Sequence, residues 1–113
     1  MIEVRRDDGE LCGLVAQRGD RWLAMTVFGA VLAEVGDEQS ARNHVLARGL
    51  GSISQRWQLR ARCESTWQPV LIQEANPRRV RVALGHYMLP ETPTRDISVE
   101  ELRLGEFELR LKD

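Results

Sequence analysis

Hydrophobic and polar residues alternate along much of the chain, which is the period of a β-strand with one buried face. Ile2–Arg6 and Leu11–Gln17 alternate in this way and are separated by an Asp-Gly hairpin signal, so we predict that they pair. Arg21–Phe28 is apolar on both faces, which is typical of a central strand that is covered on both sides. Ala30–Val35 is predicted to form a fourth, short strand.

The pattern changes at Asp37, where we predict that a helix begins. Asp37 is a suitable N-cap, and the negative charge of Glu38 in the first turn is favoured by the helix dipole. Ser40–Arg48 has a helix-forming composition, and Gly49 is a typical residue at a helix C-terminus. The sequence therefore predicts one helix near residues 38–48.

The pattern of residues 52–63 fits either a helix or a strand. Ile53, Trp57 and Ala61 are spaced for one face of a helix that would begin with a capping box. The same segment also alternates as a strand, and we favour a strand from Arg56 onward. Under both interpretations Arg56 and Arg60 share a face, because a spacing of four residues suits the period of a helix and that of a strand.

Two further strands are predicted, over Trp67–Glu74 and Arg79–Met88. Pro69 lacks a backbone N–H, so it places the first of these at a sheet edge or at a bulge. In the second, Val80 and Val82 are predicted to face the core.

The pattern of the C-terminal segment also fits two kinds of secondary structure. It forms either a hairpin of Ile97–Leu104 and Glu106–Leu111 or a helical turn capped by Ser98. Taken together, the pattern predicts a single α+β domain over residues 1–113. Its antiparallel β-sheet, in one piece or in two halves, would accompany one helix near residues 38–48.

Composition limits the class of protein. A chain of 113 residues with 42% hydrophobic and 29% charged residues can bury one modest core, and it is a poor fit to a disordered chain. No apolar run is long enough for a membrane helix and no export signal is visible, so we expect a cytoplasmic protein that does not bind membranes. Cys12 and Cys63 lie far apart and are expected to be two buried thiols, unless an oxidising compartment joins them.

Little in the sequence predicts catalysis. His44 and His86 have no motif around them that names a nucleophile, and no metal-ligand spacing or phosphate-binding loop is present. We therefore expect a protein that is not an enzyme and has no cofactor and no metal. An enzyme would become a third hypothesis if either histidine lay in a pocket with a carboxylate or a cysteine.

Charge is distributed unevenly along the chain. Residues 42–81 contain eight arginines and two glutamates, a net charge of +6, while the other residues sum to −7. If the two strands of this segment share a sheet, they would project five guanidinium groups from one surface: Arg56, Arg60, Arg62, Arg79 and Arg81. Such a row needs anions, which are nucleic-acid phosphates, carboxylates of a partner, or the chain's own acidic C-terminal segment. We rank the intramolecular source first, because neighbouring strands commonly pair opposite charges.

These observations favour a non-catalytic interaction module that carries an arginine-rich face and binds a protein partner or a second copy of itself. Trp and Arg are the residues most enriched at binding hot spots, and Trp67 near a predicted edge strand would be the first anchor to test. The core is the expected place of Trp22 and Trp57. The alternative is a nucleic-acid-binding module that uses the same arginine-rich face.

One segment resembles a known DNA-binding unit. Arg21 to Val45, with Trp22, Gly29 and Gly36, is similar to the three strands and helix of plant ethylene-response factors and recombinase arm-binding domains. The resemblance covers about a quarter of the chain. It implies DNA reading by Arg and Trp on the sheet, yet residues 1–36 carry a net charge of −2, and we assign the chain to no family.

Overall fold

A computed structural model describes residues 1–85 and 91–112 of the chain. These residues form two antiparallel sheets, of four and five strands, and a helix of 11 residues, which confirms the predicted α+β class. Contacts divide the chain into two compact units, Met1–Ile53 and Ser54–Asp113, and each unit contains one of the sheets.

The first unit is a four-stranded sheet whose strands lie side by side in chain order. They are β1 Ile2–Arg5, β2 Leu11–Arg18, β3 Arg21–Met25 and β4 Val31–Val35. Gly9 has a φ of 88° in the turn between β1 and β2, a conformation that glycine adopts without the steric cost of a side chain. The four strands expected in this part of the chain are therefore confirmed.

The helix α1, Glu38–Arg48, has the predicted position. It begins at Asp37, whose Oδ1 accepts a hydrogen bond of 2.7 Å from the backbone N–H of Ser40. Ala41 and Val45 are fully buried in the core of this unit, where apolar side chains of the sheet surround them. Burial of this narrow stripe holds the helix on one face of the sheet.

The second unit is a five-stranded antiparallel sheet with the order β8-β7-β6-β5-β9. A short 3₁₀ helix, Gly51–Ser54, precedes its first strand. The strands and the short helix α2 are β5 Arg56–Ala61, β6 Gln68–Ala75, β7 Arg79–Leu84, β8 Thr94–Ser98, α2 Val99–Arg103 and β9 Phe107–Leu111. The strand predicted from Arg56 onward is confirmed.

Of the two places predicted for the strand that contains Pro69, the sheet edge is wrong, because β6 lies between β5 and β7. The register of β6 against β7 does shift, but between Ile72 and Glu74 rather than at Pro69. Pro69 is the second residue of that strand, and the start of a strand is one of the places that tolerate a missing N–H.

Of the two structures left open for the tail, the helical turn capped by Ser98 is confirmed: Val99–Arg103 is helical, and Ser98 and Glu101 form the capping box that starts it. The hairpin alternative is wrong, because β8 and β9 lie at opposite ends of the sheet.

Two smaller points complete the fold. Cys12 is buried but Cys63 is exposed, so the expectation of two buried thiols is wrong for the second, and both are free. The strand β7 ends at Leu84, and His86 lies outside the described residues. Within residues 1–85 and 91–112, no helix is both long and apolar enough to cross a membrane.

Candidate functional site

The outer face of the five-stranded sheet carries most of the arginines that the sequence singled out. Trp57 and Leu59 of β5 are buried, so the alternation of the strand turns Arg56 and Arg60 to the opposite, outer face. The same alternation in β7 buries Val80 and Val82 and turns Arg79 and Arg81 outward. Both sets therefore lie on the face that was predicted.

The two arginines of β7 are engaged by carboxylates of neighbouring strands. Arg81 lies 2.8 Å from Asp96 on β8 and 3.4 Å from Glu74 on β6. Arg79 lies 3.7 Å from the same Asp96. The hydrogen bond from Arg81, together with the charges of both arginines, holds the pKa of Asp96 below its usual value. This half of the face is neutralised from within the chain.

Arg60 and Arg62 of the β5 segment also have partners in the chain. Arg60 forms an ion pair of 3.1 Å with Glu108, which lies opposite it on β9. Arg62 lies beyond the end of β5 and donates hydrogen bonds to the backbone carbonyls of Leu104 and Gly105. The acidic C-terminal segment thus supplies one carboxylate to the arginine block, and a bare row of five guanidinium groups is not what the described residues form.

Trp67 is the most distinctive side chain of this face. It is half-buried, and two guanidinium groups lie over its ring, those of Arg60 at 4.5 Å and Arg110 at 3.8 Å from the centroid. Arg110 is also held by a hydrogen bond of 2.9 Å from its Nε to Gln58. Stacked cations of this kind fix the orientation of the indole ring and lower the entropy that binding would cost.

The surroundings of Trp67 are more basic than the β7 half of the face. Arg56 has no carboxylate within 4.0 Å among the described residues. Lys112 lies beside it, and its backbone N–H donates a hydrogen bond of 2.9 Å to the backbone carbonyl of Arg56. We call the set of Trp67, Arg56, Arg60, Arg110 and Lys112 the Trp67 patch. With Glu108 included, its formal net charge is +3.

Sequence reasoning identified Trp67 but missed Arg110. The strand β9 pairs with β5, about fifty positions earlier in the chain, and this pairing brings Arg110 beside Gln58. The signal that could have found it is the alternation of the last strand, which turns Glu108 and Arg110 to one face. Only the pairing of the strands shows that this face is also the face of Arg60.

A cleft of about 450 Å³ opens at one end of the second sheet, between Arg62, Cys63, Glu64, Arg95 and Glu106. Arg95 lies over the ring of Phe107 at 4.5 Å, and the two arginines and two glutamates of the cleft balance in charge. The exposed thiol of Cys63 lies in this cleft, and the described residues that line it include no histidine. Residues 1–85 and 91–112 also hold no group of three or more side chains that could bind a metal ion.

The comparisons with known proteins give no relative. No family model matches the chain, and neither a curated protein nor a solved structure matches it.

Proposed function

We propose that this chain is a non-catalytic interaction module that binds a protein partner through the Trp67 patch. The observation that carries the proposal is the half-buried Trp67 ring, over which the guanidinium groups of Arg60 and Arg110 both lie. Tryptophan and arginine are the side chains most enriched at binding hot spots, and here they are already ordered in one arrangement.

The charge of the patch indicates the chemistry of the partner. Arg56, Arg110 and Lys112 exceed the local carboxylates, so a partner surface with exposed aspartates or glutamates would complement it. The two arginines of β7 contribute little, because Asp96 and Glu74 already neutralise them. We therefore assign the contact to the β5–β9 side of the sheet rather than to the whole arginine-rich face.

The test is quantitative capture of partners by the immobilised chain. The full-length protein and its Trp67→Ala and Leu104→Ala variants would be compared, since Leu104 is 51% exposed in the same unit but outside the patch. We expect a stoichiometric protein partner that the Leu104→Ala variant retains and the Trp67→Ala variant binds about tenfold more weakly or worse. Equal capture by all three proteins would contradict the proposal, as would a strictly monomeric chain that captures nothing.

Nucleic acid is the alternative partner, and salt distinguishes it. Phosphate contacts release counterions, so nucleic-acid binding would weaken steeply as salt rises and would fall when Arg60 and Arg81 are replaced by glutamate. Titration with random-sequence single- and double-stranded DNA and RNA at low and physiological salt measures this directly. We expect weak binding, because Glu108 and Asp96 already engage these two arginines.

A further inference from the structure

The last strand of the second sheet has an open edge. In the sheet order β8-β7-β6-β5-β9, β9 lies at one end, and within the described part of the chain it pairs with β5 alone. An edge strand presents unpaired backbone N–H and C=O groups, which can template the addition of another strand. Natural proteins usually protect such an edge, so an open one is a candidate binding surface.

The hydrogen-bond pattern identifies the backbone groups that point outward. Arg62 N–H bonds to the Glu106 carbonyl and Lys112 N–H to the Arg56 carbonyl, each at 2.9 Å, on either side of the β5–β9 ladder. Since bonded pairs alternate in an antiparallel ladder, Glu108 and Arg110 also direct their backbone groups toward β5. Phe107, Leu109 and Leu111 therefore direct theirs away from the sheet, and no described residue hydrogen-bonds these groups.

The sequence of β9, Phe-Glu-Leu-Arg-Leu, is complementary to itself in an antiparallel arrangement. With Leu109 opposite Leu109 of a second copy, Glu108 faces Arg110 of that copy, and Phe107 faces Leu111. Opposite charges on directly opposed residues stabilise a strand pair, and the symmetry forms the Glu108–Arg110 pair twice.

We propose that two copies of this chain pair through their β9 strands, in antiparallel orientation, about a two-fold axis at Leu109. The outward backbone groups of Phe107, Leu109 and Leu111 form the hydrogen bonds, and Glu108 and Arg110 fix the register. The inference rests on the proposed interaction role and deepens it by naming a second copy as one partner.

Both charged side chains retain capacity for this contact. Arg60 bonds to Oε2 of Glu108, while Oε1 accepts from no described residue. Arg110 uses Nε to bond Gln58, and its Nη groups donate to none of the described acceptors. Opposed residues at such a position lie about 4.5 Å apart between Cα atoms, a distance that these long side chains bridge readily.

The edge strand β1 of the first unit offers a comparison. It also carries a glutamate and an arginine two positions apart, Glu3 and Arg5. These two side chains form an ion pair with each other at 3.3 Å. In β9, Glu108 and Arg110 do not pair with each other, because Glu108 pairs with Arg60 and Arg110 bonds to Gln58. We therefore assign the self-pairing to β9.

Charge exchange tests the proposed register. The Glu108→Arg variant and the Arg110→Glu variant would each place two like charges opposite one another in a symmetric dimer. We expect each variant alone to dimerise about tenfold more weakly than the wild-type chain in sedimentation velocity. An equimolar mixture of the two restores every opposite pair, so it should form a heterodimer as strong as the wild-type dimer.

The Arg78→Gln variant is the matched control. It removes a positive charge from the turn between β6 and β7, outside the Trp67 patch, and leaves Glu108 and Arg110 unchanged, so its dimer should match that of the wild type. Hydrogen exchange supplies a second measurement: the amides of Phe107, Leu109 and Leu111 should exchange more slowly as protein concentration rises.

Three outcomes separate the two proposals. A wild-type chain that stays monomeric at all concentrations overturns the β9 dimer but leaves the Trp67 patch to the capture experiment. A dimer that ignores both charge variants, or leaves those three amides unprotected, uses another surface and also overturns it. Recovery of the dimer in the mixture supports it, because misfolded variants could not restore each other.

Discussion

Two glycines of the first unit are required by close approach rather than by backbone conformation. A Cβ on Gly13 of β2 would lie 2.2 Å from the carbonyl oxygen of Met25 and 2.8 Å from Cγ1 of Val45. A Cβ on Gly49, which follows α1, would lie 2.3 Å from the carbonyl oxygen of Cys12. Gly49 has a φ of −55°, so it is not the left-handed cap that glycine usually supplies at this place. The helix sits close to β2 because both positions lack a side chain.

Replacement of Gly13 by alanine should therefore destabilise the chain by about 3 kcal/mol, because backbone and a helix side chain must move to admit the methyl group. Urea unfolding followed by circular dichroism measures the free energy of unfolding. Gly51→Ala is the matched control: a Cβ there meets no atom within 4 Å, and the change should be close to neutral. Equal losses for the two variants would show that the contact between helix and strand does not set the cost.

At the scale of elements, cross-strand charge pairs set the electrostatics of the second sheet. Asp96 on β8 forms ion pairs with Arg79 and Arg81 of β7, and Glu108 on β9 forms one with Arg60 of β5. Opposite charges on neighbouring strands are the simplest way for a sheet to carry many arginines on one face. The sequence indicated this outcome through its two cancelling charge blocks, but the particular partners follow from strand order.

The pH dependence of stability should report the pair formed by Asp96 and Arg81. Because the folded chain holds the pKa of Asp96 below its ordinary value of 3.8, this group stabilises the fold above that value and loses its contribution as pH falls. In the Arg81→Gln variant the pKa of Asp96 should rise toward its ordinary value, and this part of the pH dependence should shrink. Carboxyl-carbon NMR titration measures the pKa, and urea unfolding across acid pH measures the stability.

Arg78→Gln provides the control for this experiment, since Arg78 forms no ion pair among the described residues. It removes the same positive charge from the neighbouring turn without touching Asp96. A pKa of Asp96 that moves equally in both variants would assign the effect to net charge rather than to the direct hydrogen bond.

At the scale of the whole molecule, the chain consists of two small units. The prediction of a single domain means that these two units should unfold together. Units of 1–53 and 54–113 are each near the size of about 60 residues at which an independent domain is only marginally stable. Each nevertheless contains its own sheet and its own fully buried side chains, Val15 and Val45 in the first, Trp57 and Val80 in the second.

We expect the two units to unfold in one transition, because neither has the size for much stability alone. Alkylation of Cys12, which is 1% exposed, reports the first unit in a Cys63→Ser background. Fluorescence of Trp57 reports the second unit when Trp22 and Trp67 are replaced by phenylalanine. Coincident midpoints in urea would support a single domain, and two separated midpoints would contradict it.

The sequence by itself determined the local structure of this protein, because that structure depends on neighbours in the chain. Alternation predicted the strands, Asp37 located the start of α1, and the Asp-Gly pair located the first hairpin. It also predicted that the arginines of β5 share one side of that strand and those of β7 one side of theirs, since the period of a strand settles which side each residue takes.

Only the tertiary structure decided which strands are neighbours, because pairing between distant segments leaves no local mark. The return of β9 to pair with β5 made β5 an interior strand, placed Arg110 over Trp67 and gave Arg60 its carboxylate at Glu108. The same pairing left the outer edge of Phe107–Leu111 with no strand from residues 1–85 or 91–112 beside it. The Trp67 patch and the proposed self-pairing edge both arise from that one long-range contact.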